Sequence, residues 1–86
     1  MNGFTVEFAR SAAKELDDLP ADVVRRVTAA VYGLEHNPRP RGAKKLEGSE
    51  GVYRIRVGTY RVIYEIDDRA RRVLVTRVRH RKDVYR

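Results

Sequence analysis

Cysteine is absent from this 86-residue chain, and histidine occurs only twice, as His36 and His80. Without cysteine the protein has no disulfide bond, no thiolate nucleophile and no zinc site built on sulfur. Because the two histidines lie far apart in the sequence, a histidine-based metal site is not expected either. The sequence therefore predicts a protein that uses no metal ion and no other cofactor.

Long apolar runs are also missing. None approaches the ~18 residues that a membrane-spanning helix needs, and the first residues, MNGFTVEFAR, lack the basic-then-apolar layout of a signal peptide. We therefore expect a cytosolic protein without a membrane partner. The length predicts one small domain, residues 1–86, with a thin hydrophobic core.

Acidic residues are scarce in only one half of the chain. Residues 1–50 contain eight Lys/Arg and eight Asp/Glu, whereas residues 51–86 contain eleven Lys/Arg and four Asp/Glu. The second half therefore carries the whole net charge of +7. This asymmetry predicts a polyanionic partner, which is a nucleic acid, an acidic protein or both. The alternative is a basic surface that serves solubility alone.

The first half of the chain has the pattern of a strand and two helices. Alternating apolar side chains predict a strand over residues 3–8. A short helix, with Ser11 as its cap, should run to about residue 19. A second helix should start at Pro20 and end before Asn37-Pro38, because the residue before proline avoids the helical conformation. The short connection between the helices predicts an antiparallel hairpin.

The second half of the chain has the pattern of a basic loop followed by three strands. The loop, PRPRGAKKLEGSE, covers residues 38–50 and has a short extended piece around Lys45-Leu46. Strands are predicted over residues 52–57, 60–67 and 72–80. The predicted fold is an α+β domain with the order β-α-α-β-β-β. Its two-helix hairpin should pack on one face of a mostly antiparallel four-stranded sheet.

The stretch VYRIRVGTYRVIYEI, residues 52–66, is predicted to form a hairpin that turns at Gly58-Thr59. A two-residue turn places Arg56 directly opposite Arg61, and such a like-charged pair costs about 0.2–1 kcal/mol. The same register gives an apolar face toward the helices, formed by the pairs Val57 with Tyr60, Ile55 with Val62 and Tyr53 with Tyr64.

Arginines should gather on the sheet face that the helices leave uncovered. Because side chains alternate between the two faces of a strand, four residues should lie on that face: Arg54, Arg56, Arg61 and Ile63. On the last strand the same alternation predicts that Leu74, Thr76 and Val78 are buried and that five residues point outward: Val73, Val75, Arg77, Arg79 and Arg81. One guanidinium group can donate two parallel hydrogen bonds to one phosphate, and it stays charged at neutral pH. The alternative is that the arginine stems merely cover an apolar patch of Ile63, Val73 and Val75.

Four motifs occur in order along the chain: a helix that ends in NP, a KLEG segment, VYRIRVGTYRVIYEID and VTRVRHRKDVYR. Together they resemble the RelE/ParE superfamily of bacterial toxin–antitoxin toxins, over nearly the whole chain. In the RelE branch, the toxin enters the ribosomal A site and cleaves the mRNA there. An antitoxin encoded beside the toxin wraps around it and blocks this activity. In the ParE branch, the same fold inhibits DNA gyrase and cleaves nothing.

The resemblance implies a toxin whose partners are an antitoxin, the ribosome and mRNA. Our first interpretation is a ribosome-dependent mRNA endoribonuclease that inhibits translation. The alternative is a ParE-like gyrase inhibitor without nuclease chemistry. A third interpretation is a degenerate member that keeps only antitoxin binding and regulates transcription with it.

The resemblance also assigns roles to residues. Arg54 and Arg56 would hold the phosphates of the nucleotide and help to activate the 2′-hydroxyl. Arg61 and Arg81 would stabilise the pentavalent transition state, and Tyr85 would stack on a base or orient it. Further RNA contacts are expected from neighbouring basic residues, which are Lys44, Lys45, Arg77 and Arg79.

The chain departs from the best-known RelE pattern, which has lysines at the positions of Arg54 and Arg56. Arginine is a poor proton acceptor, so proton transfer must come from another group or matter little. His80 is a candidate acid or base because histidine titrates near neutral pH. Strand parity, however, places it on the other face unless the strand ends or bulges there. The alternative is a strand-end histidine without a chemical role.

An antitoxin has to dock beside the basic face and mask its charge. The candidate docking residues are apolar and predicted to point outward: Ile63, Val73 and Val75. The surface of the second helix is expected to contribute as well. The alternative is that these residues fill the sheet beneath a short C-terminal tail.

Overall fold

Two helices and five strands occupy the part of the chain that the structure, a computed structural model, describes, which is residues 3–81. The elements are β1 (Thr5–Phe8), α1 (Arg10–Asp17), α2 (Ala21–Gly33), β2 (Lys44–Lys45), β3 (Val52–Val57), β4 (Tyr60–Asp67) and β5 (Arg72–His80). Every helix and strand predicted from the sequence is present, with ends shifted by a few residues. Neither helix in this range is long and apolar enough to cross a membrane.

The strands form one mixed sheet in the order β1-β5-β4-β3-β2. β1 runs parallel to β5, and the other neighbours are antiparallel. The α+β prediction is confirmed, but the predicted number of strands was one too low. The additional strand, β2, pairs Lys44 with Arg54 and Lys45 with Tyr53. It is only two residues long, which is too short to show the alternation that identifies a strand in sequence.

The helices pack on one face of the sheet and form the core there. α2 contributes Val27 and Val31, both fully buried, at the i, i+4 spacing of one helix face. They pack with the buried strand residues Ile55, Val62, Tyr64, Ile66, Val73, Val75 and Val78. Each such side chain contributes about 1.5–3 kcal/mol when it leaves water. We call the opposite face of the sheet the open face.

The start of α1 differs from the prediction, because Ser11 is not the helix cap. The chain leaves β1 while still bonded to β5, since the Ala9 N–H donates to the Val75 carbonyl at 2.8 Å. The helix therefore begins at Arg10, and Ala9 occupies the cap position without a side-chain hydrogen bond. The Ser11 hydroxyl instead donates to the carbonyl of Thr76 at 2.8 Å.

The predicted register of the β3–β4 hairpin is confirmed, including the pair of Arg56 with Arg61. Gly58 is required at the turn because its φ is +61°, in the left-handed region that favours glycine. A Cβ at this position would also lie only 2.7 Å from a guanidinium nitrogen of Arg26. The turn therefore fixes which side chains of β3 and β4 share a face.

The predicted orientation of the first half of β5 is wrong. Val73 and Val75 are fully buried against the helices, whereas Leu74 lies on the open face opposite Glu65. The cause is a β-bulge at Thr76: Tyr64 pairs with Val75 and Ile63 pairs with Arg77, so one residue of β5 is left over. The bulge reverses the alternation, and Arg77 and Arg79 still reach the open face, as predicted.

Candidate functional site

Three arginines form a row across the open face, one from each of three neighbouring strands. Arg61 of β4 lies directly opposite Arg56 of β3 and directly opposite Arg79 of β5. Like charges at facing positions destabilise a sheet by about 0.2–1 kcal/mol per pair. The register thus brings three arginines to facing positions, an arrangement that is costly unless an anion offsets the repulsion. We call these three residues the arginine row.

A second, parallel set of cations lies beside the arginine row. Here Ile63 of β4 separates Arg54 of β3 from Arg77 of β5, and Lys44 of β2 pairs with Arg54 on the far side. All of these side chains lie at the end of the sheet near the β3–β4 turn. We call this region the basic end: Lys44, Arg54, Arg56, Arg61, Arg77 and Arg79.

Arg61 is the most buried member of the basic end, with only 4% of its surface exposed. Arg56, by contrast, is exposed. Burying a charged group is costly, and a buried side chain also has few alternative conformations. The guanidinium of Arg61 is therefore held in place before any ligand arrives, which is the arrangement that stabilises a charge most effectively.

Arg77 and Arg79 interact with a carboxylate of the protein itself. Their guanidinium nitrogens lie 3.2 Å and 3.6 Å from Oε2 of Glu15 on α1. Within residues 3–81, neither Arg54 nor Arg56 has such an ion pair, and the buried Nη1 atom of Arg54 has no hydrogen-bond partner. The basic end thus contains two arginines paired with Glu15 at one edge and, at the other, two that have no carboxylate partner among residues 3–81.

A cationic depression of about 270 Å³ opens beside β3 and extends the basic end. Among the described residues, its lining contains three cations and no carboxylate: Arg41, Gly42, Lys44, Ile55 and Arg56. The loop can turn back here because Gly42 has a φ of +94°. Arg41 was not predicted as a site residue, and only the pairing of β2 with β3 brings its loop to this position.

Two predicted site residues lie away from the basic end. Lys45 pairs with Tyr53, whose side chain packs against the core, so its parity differs from that of Lys44. His80 pairs with Tyr60 on the helix side of the sheet, and the two rings meet edge to face at 5.3 Å. The bulge at Thr76 does not change this, because Arg79 occupies the open face.

The remaining predicted site residues are those at the end of the chain and the predicted docking residues. Arg81 is exposed, and its N–H donates to the Thr59 carbonyl at 2.8 Å, which places it beside the β3–β4 turn. Tyr85 lies outside the described residues. Burial of Val73 and Val75 leaves Ile63 as the predicted docking residue on the open face. The large apolar side chain that is most exposed within residues 3–81 is Tyr32 on α2, at 55%.

The other end of the open face is acidic. A depression of about 430 Å³ there is lined mainly by carboxylates, together with three other residues: Glu7, Glu50, Glu65, Asp67 and Asp68, with Ile66, Arg72 and Leu74. We call this region the acidic end. Among residues 3–81, no group of His, Asp and Glu side chains has an arrangement able to hold a metal ion.

Known proteins are similar to this chain over nearly its whole length. A family model described as the ParE toxin of type II toxin–antitoxin system, parDE, matches residues 6–85. Toxin RelG of Mycobacterium tuberculosis is 36% identical over 84 residues, which cover 96% of this chain and 97% of that protein. The putative toxin RelE1 of Methanocaldococcus jannaschii is 33% identical over 88 residues, 96% of each chain.

Solved structures agree with these sequence matches. The toxin chain of the archaeal RelE–RelB complex from Pyrococcus horikoshii superposes with a TM-score of 0.82 at 31% identity. The superposition covers 92% of this chain and 96% of the other. The fold, the family model and the relatives lead to one conclusion: this chain belongs to the RelE/ParE superfamily of toxins from type II toxin–antitoxin systems.

Proposed function

We propose that this protein is a RelE-like toxin that acts in the cytoplasm as a ribosome-dependent mRNA endoribonuclease and so inhibits translation. The observation that carries the proposal is the arginine row, in which Arg61 is buried between two like-charged neighbours. The relatives named RelG and RelE1, at 36% and 33% identity, support the RelE branch. A polyanion that binds at the row offsets the repulsion among its guanidinium groups.

The reaction is attack of a ribose 2′-oxygen on the adjacent phosphorus. The O2′–P bond forms and the P–O5′ bond breaks, while a proton leaves the 2′-hydroxyl and another is taken up by the leaving 5′-oxygen. Negative charge grows on the phosphoryl oxygens in between, and fixed guanidinium groups stabilise it. Arg61 is in the position to do so, with Arg81 contributing from the end of β5.

The remaining arginines bind and orient the message. Arg54 and Arg56 hold the phosphates of the reacting nucleotide, and Lys44 and Arg41 continue the cationic path along β2 and its loop. Positioning of this kind can supply a large part of a rate enhancement. Because these groups are arginines, they are assigned to binding and charge stabilisation and not to proton transfer.

A cognate antitoxin is the proposed protein partner. The relatives from Pyrococcus horikoshii and from Mycobacterium tuberculosis were solved as RelE–RelB and RelBE2 complexes. An antitoxin for this chain would mask the basic end and contact apolar surface beside it. We assign that contact to Ile63 and to the exposed surface of α2 around Tyr32, since Val73 and Val75 are buried.

Primer extension on a cellular message tests the proposal. After induction of the protein, we expect cuts within translated regions and none when translation of that message is blocked. Arg61→Ala and Arg81→Ala should relieve the growth arrest while the purified variants remain folded. Toxicity that persists in both variants would mean that the assigned site is wrong.

A gyrase inhibitor is the second candidate, because the matching family model carries the ParE description. The same induction experiment separates the two candidates. DNA breakage with an SOS response and intact messages would establish the gyrase inhibitor. A harmless protein that still binds its antitoxin would establish the degenerate member instead.

A further inference from the structure

Glu15 on α1 makes three contacts with the last part of β5. Its Oε1 atom accepts the N–H of Val78 at 2.8 Å. Its Oε2 atom lies 3.2 Å from Nη1 of Arg77 and 3.6 Å from Nε of Arg79. One carboxylate therefore binds the backbone of the strand and both of the guanidinium groups that β5 contributes to the basic end.

The position of α1 explains why a carboxylate is available there. β1 pairs with β5 only over residues 72–75, so the following residues of β5 have a free edge. α1 covers this edge, and two of its side chains, four residues apart and so on one helix face, take over the hydrogen bonding. Ser11 donates to the Thr76 carbonyl and Glu15 accepts the Val78 N–H.

We propose that Glu15 is a positioning residue that holds Arg77 and Arg79 at the edge of the basic end and competes with RNA phosphates for them. This inference rests on the proposed function, because it treats the basic end as an RNA-binding surface. In the free protein, Glu15 neutralises part of the charge at this edge. When RNA binds, its phosphates replace Glu15 as the acceptors of these two arginines.

The exposure of the pairs makes this exchange feasible. The side chains of Arg77 and Arg79 are 47% and 41% exposed, and that of Glu15 is 24% exposed. Ion pairs in contact with water are weak and exchange readily, whereas arginine–phosphate contacts form two strong hydrogen bonds at once. Arg61, which is buried, keeps its place throughout. The basic end therefore has a fixed centre and an adjustable edge.

Glu15→Gln is the variant that tests the proposal. The amide oxygen of glutamine still accepts the Val78 N–H, but the negative charge that holds the two arginines is lost. We expect the variant to bind single-stranded RNA about 2- to 10-fold more tightly at low salt. The slope of log K against log salt should change by less than about 0.7, which is the contribution of one phosphate contact to a single strand, because RNA reaches both arginines in the wild-type complex as well.

Asp17→Asn is the matched control. It removes one negative charge from the same helix, but within residues 3–81 the Asp17 side chain forms no hydrogen bond or ion pair. A general effect of net charge would change both variants equally. The triple variant E15Q/R77Q/R79Q should lose the gain in affinity, since the arginines that Glu15 releases are then absent.

The probe is a single-stranded 2′-O-methyl RNA, which binds but cannot be cleaved because it has no 2′-hydroxyl. NMR signals of the Val78 amide and of the Arg77 and Arg79 Nε–H groups report the contacts directly. In the wild-type protein, RNA should shift both arginine signals to the positions that they have in the RNA-bound E15Q variant. Unfolding by urea shows whether the variants keep the wild-type fold.

The outcomes separate this inference from the proposed function. If E15Q binds RNA more tightly than the wild type and D17N does not, Glu15 competes with phosphate. If E15Q binds RNA like the wild type while R61A binds more weakly, Glu15 only supports the fold and the inference is overturned. If RNA binding is insensitive to R61A as well, the proposed function itself fails.

Discussion

The two ends of the open face are built on the same strands but carry opposite charges. At the basic end, Arg61 of β4 lies opposite Arg79 of β5. At the acidic end, β4 contributes Glu65 and β5 contributes Arg72. Among residues 3–81, the depression at the acidic end is lined by five carboxylates and one cation, Arg72. At the edge of the arginine row, Arg79 lies 3.6 Å from a carboxylate oxygen of Glu15. Like charges therefore gather at both ends, and only the basic end has the sign that suits the proposed anionic ligand.

Arg39 shows how an arginine behaves beside the acidic end, where it contacts Asp68. It donates to both carboxylate oxygens of Asp68 at 3.2 Å and 2.9 Å, and to the Tyr53 hydroxyl at 3.0 Å. These hydrogen bonds hold the pKa of Asp68 below its usual value. Each of the three guanidinium nitrogens of Arg39 thus donates to an acceptor of the protein itself. The comparison teaches that the acceptors around an arginine, and not the number of arginines, distinguish a binding residue from a structural one.

The largest expected effect is the loss of cleavage rate when Arg61 is removed, and removal of Arg39 is its control. Arg61→Ala should lower the rate of RNA cleavage by about 10²- to 10³-fold, because it deletes a fixed donor to the transition state. Arg39→Ala should leave the cleavage rate at the wild-type level. Cleavage of a message on purified ribosomes measures both rates. Equal losses in the two variants would break the distinction between the two ends.

Alkaline pH should weaken the core around Tyr64. Tyr64 is fully buried and donates its hydroxyl proton to the Pro38 carbonyl at 2.7 Å. Burial, with a further contribution from Tyr53, raises the pKa of Tyr64 to about 12, whereas an unfolded tyrosine has a pKa of about 10. The unfolded state therefore loses its proton first, and stability that is complete below about pH 10 falls by about 1–3 kcal/mol as the pH approaches about 12.

Urea unfolding at about pH 9 and about pH 11.5 measures this loss. The control is Tyr64→Phe, which gives up the hydrogen bond, at a cost of about 1 kcal/mol, but has no proton to lose. Its stability should change less over the same interval. An identical pH dependence in wild type and variant would show that other groups cause the loss.

Arg56→Glu should stabilise the fold while it abolishes RNA binding. The substitution replaces a like-charged pair with an oppositely charged pair facing Arg61, which should raise the free energy of unfolding by about 0.5–1 kcal/mol. Arg25→Glu on α2, which changes the net charge by the same amount at an exposed position, is the control for the urea midpoint. A destabilised R56E protein would contradict the repulsion that we infer.

The smallest expected effect concerns the depression beside β3. Arg41→Ala should weaken binding of the uncleavable RNA about 2- to 5-fold and reduce the salt slope by about 0.7, which is the loss of one phosphate contact. Arg69→Ala, at the turn after β4, removes the same charge away from the basic end. Fluorescence anisotropy with labelled RNA measures both variants. Equal weakening would mean that only net charge matters.

The sequence was sufficient for the features that depend on local pattern. The Gly58-Thr59 turn and the alternation on both sides predicted the pair of Arg56 with Arg61, and the structure has that register. The bulge at Thr76 could not be predicted in this way. Alternation within one strand carries no sign of an extra residue, whose place depends on the partner strand and on the hydroxyl of Ser11.

The missed parts of the candidate site depend on contacts between distant segments. Glu15 and Val78 are 63 residues apart in the chain, and nothing near Glu15 in the sequence indicates that it faces β5. The difference between Lys44 and Lys45 likewise follows from the pairing of β2 with β3. Composition located the charge in the second half of the chain, but only tertiary structure divides that charge into a fixed centre and an adjustable edge.

The salt dependence of RNA binding tests most directly whether the basic end of the open face is a phosphate site. The affinity of the 2′-O-methyl RNA should be measured over a range of salt concentrations for wild type, R56Q/R61Q and the control R39Q/R69Q. The two double variants have the same net charge. We predict that R56Q/R61Q lowers the salt slope by about 1.4 and that R39Q/R69Q leaves it unchanged. The same slope in both variants would contradict the account.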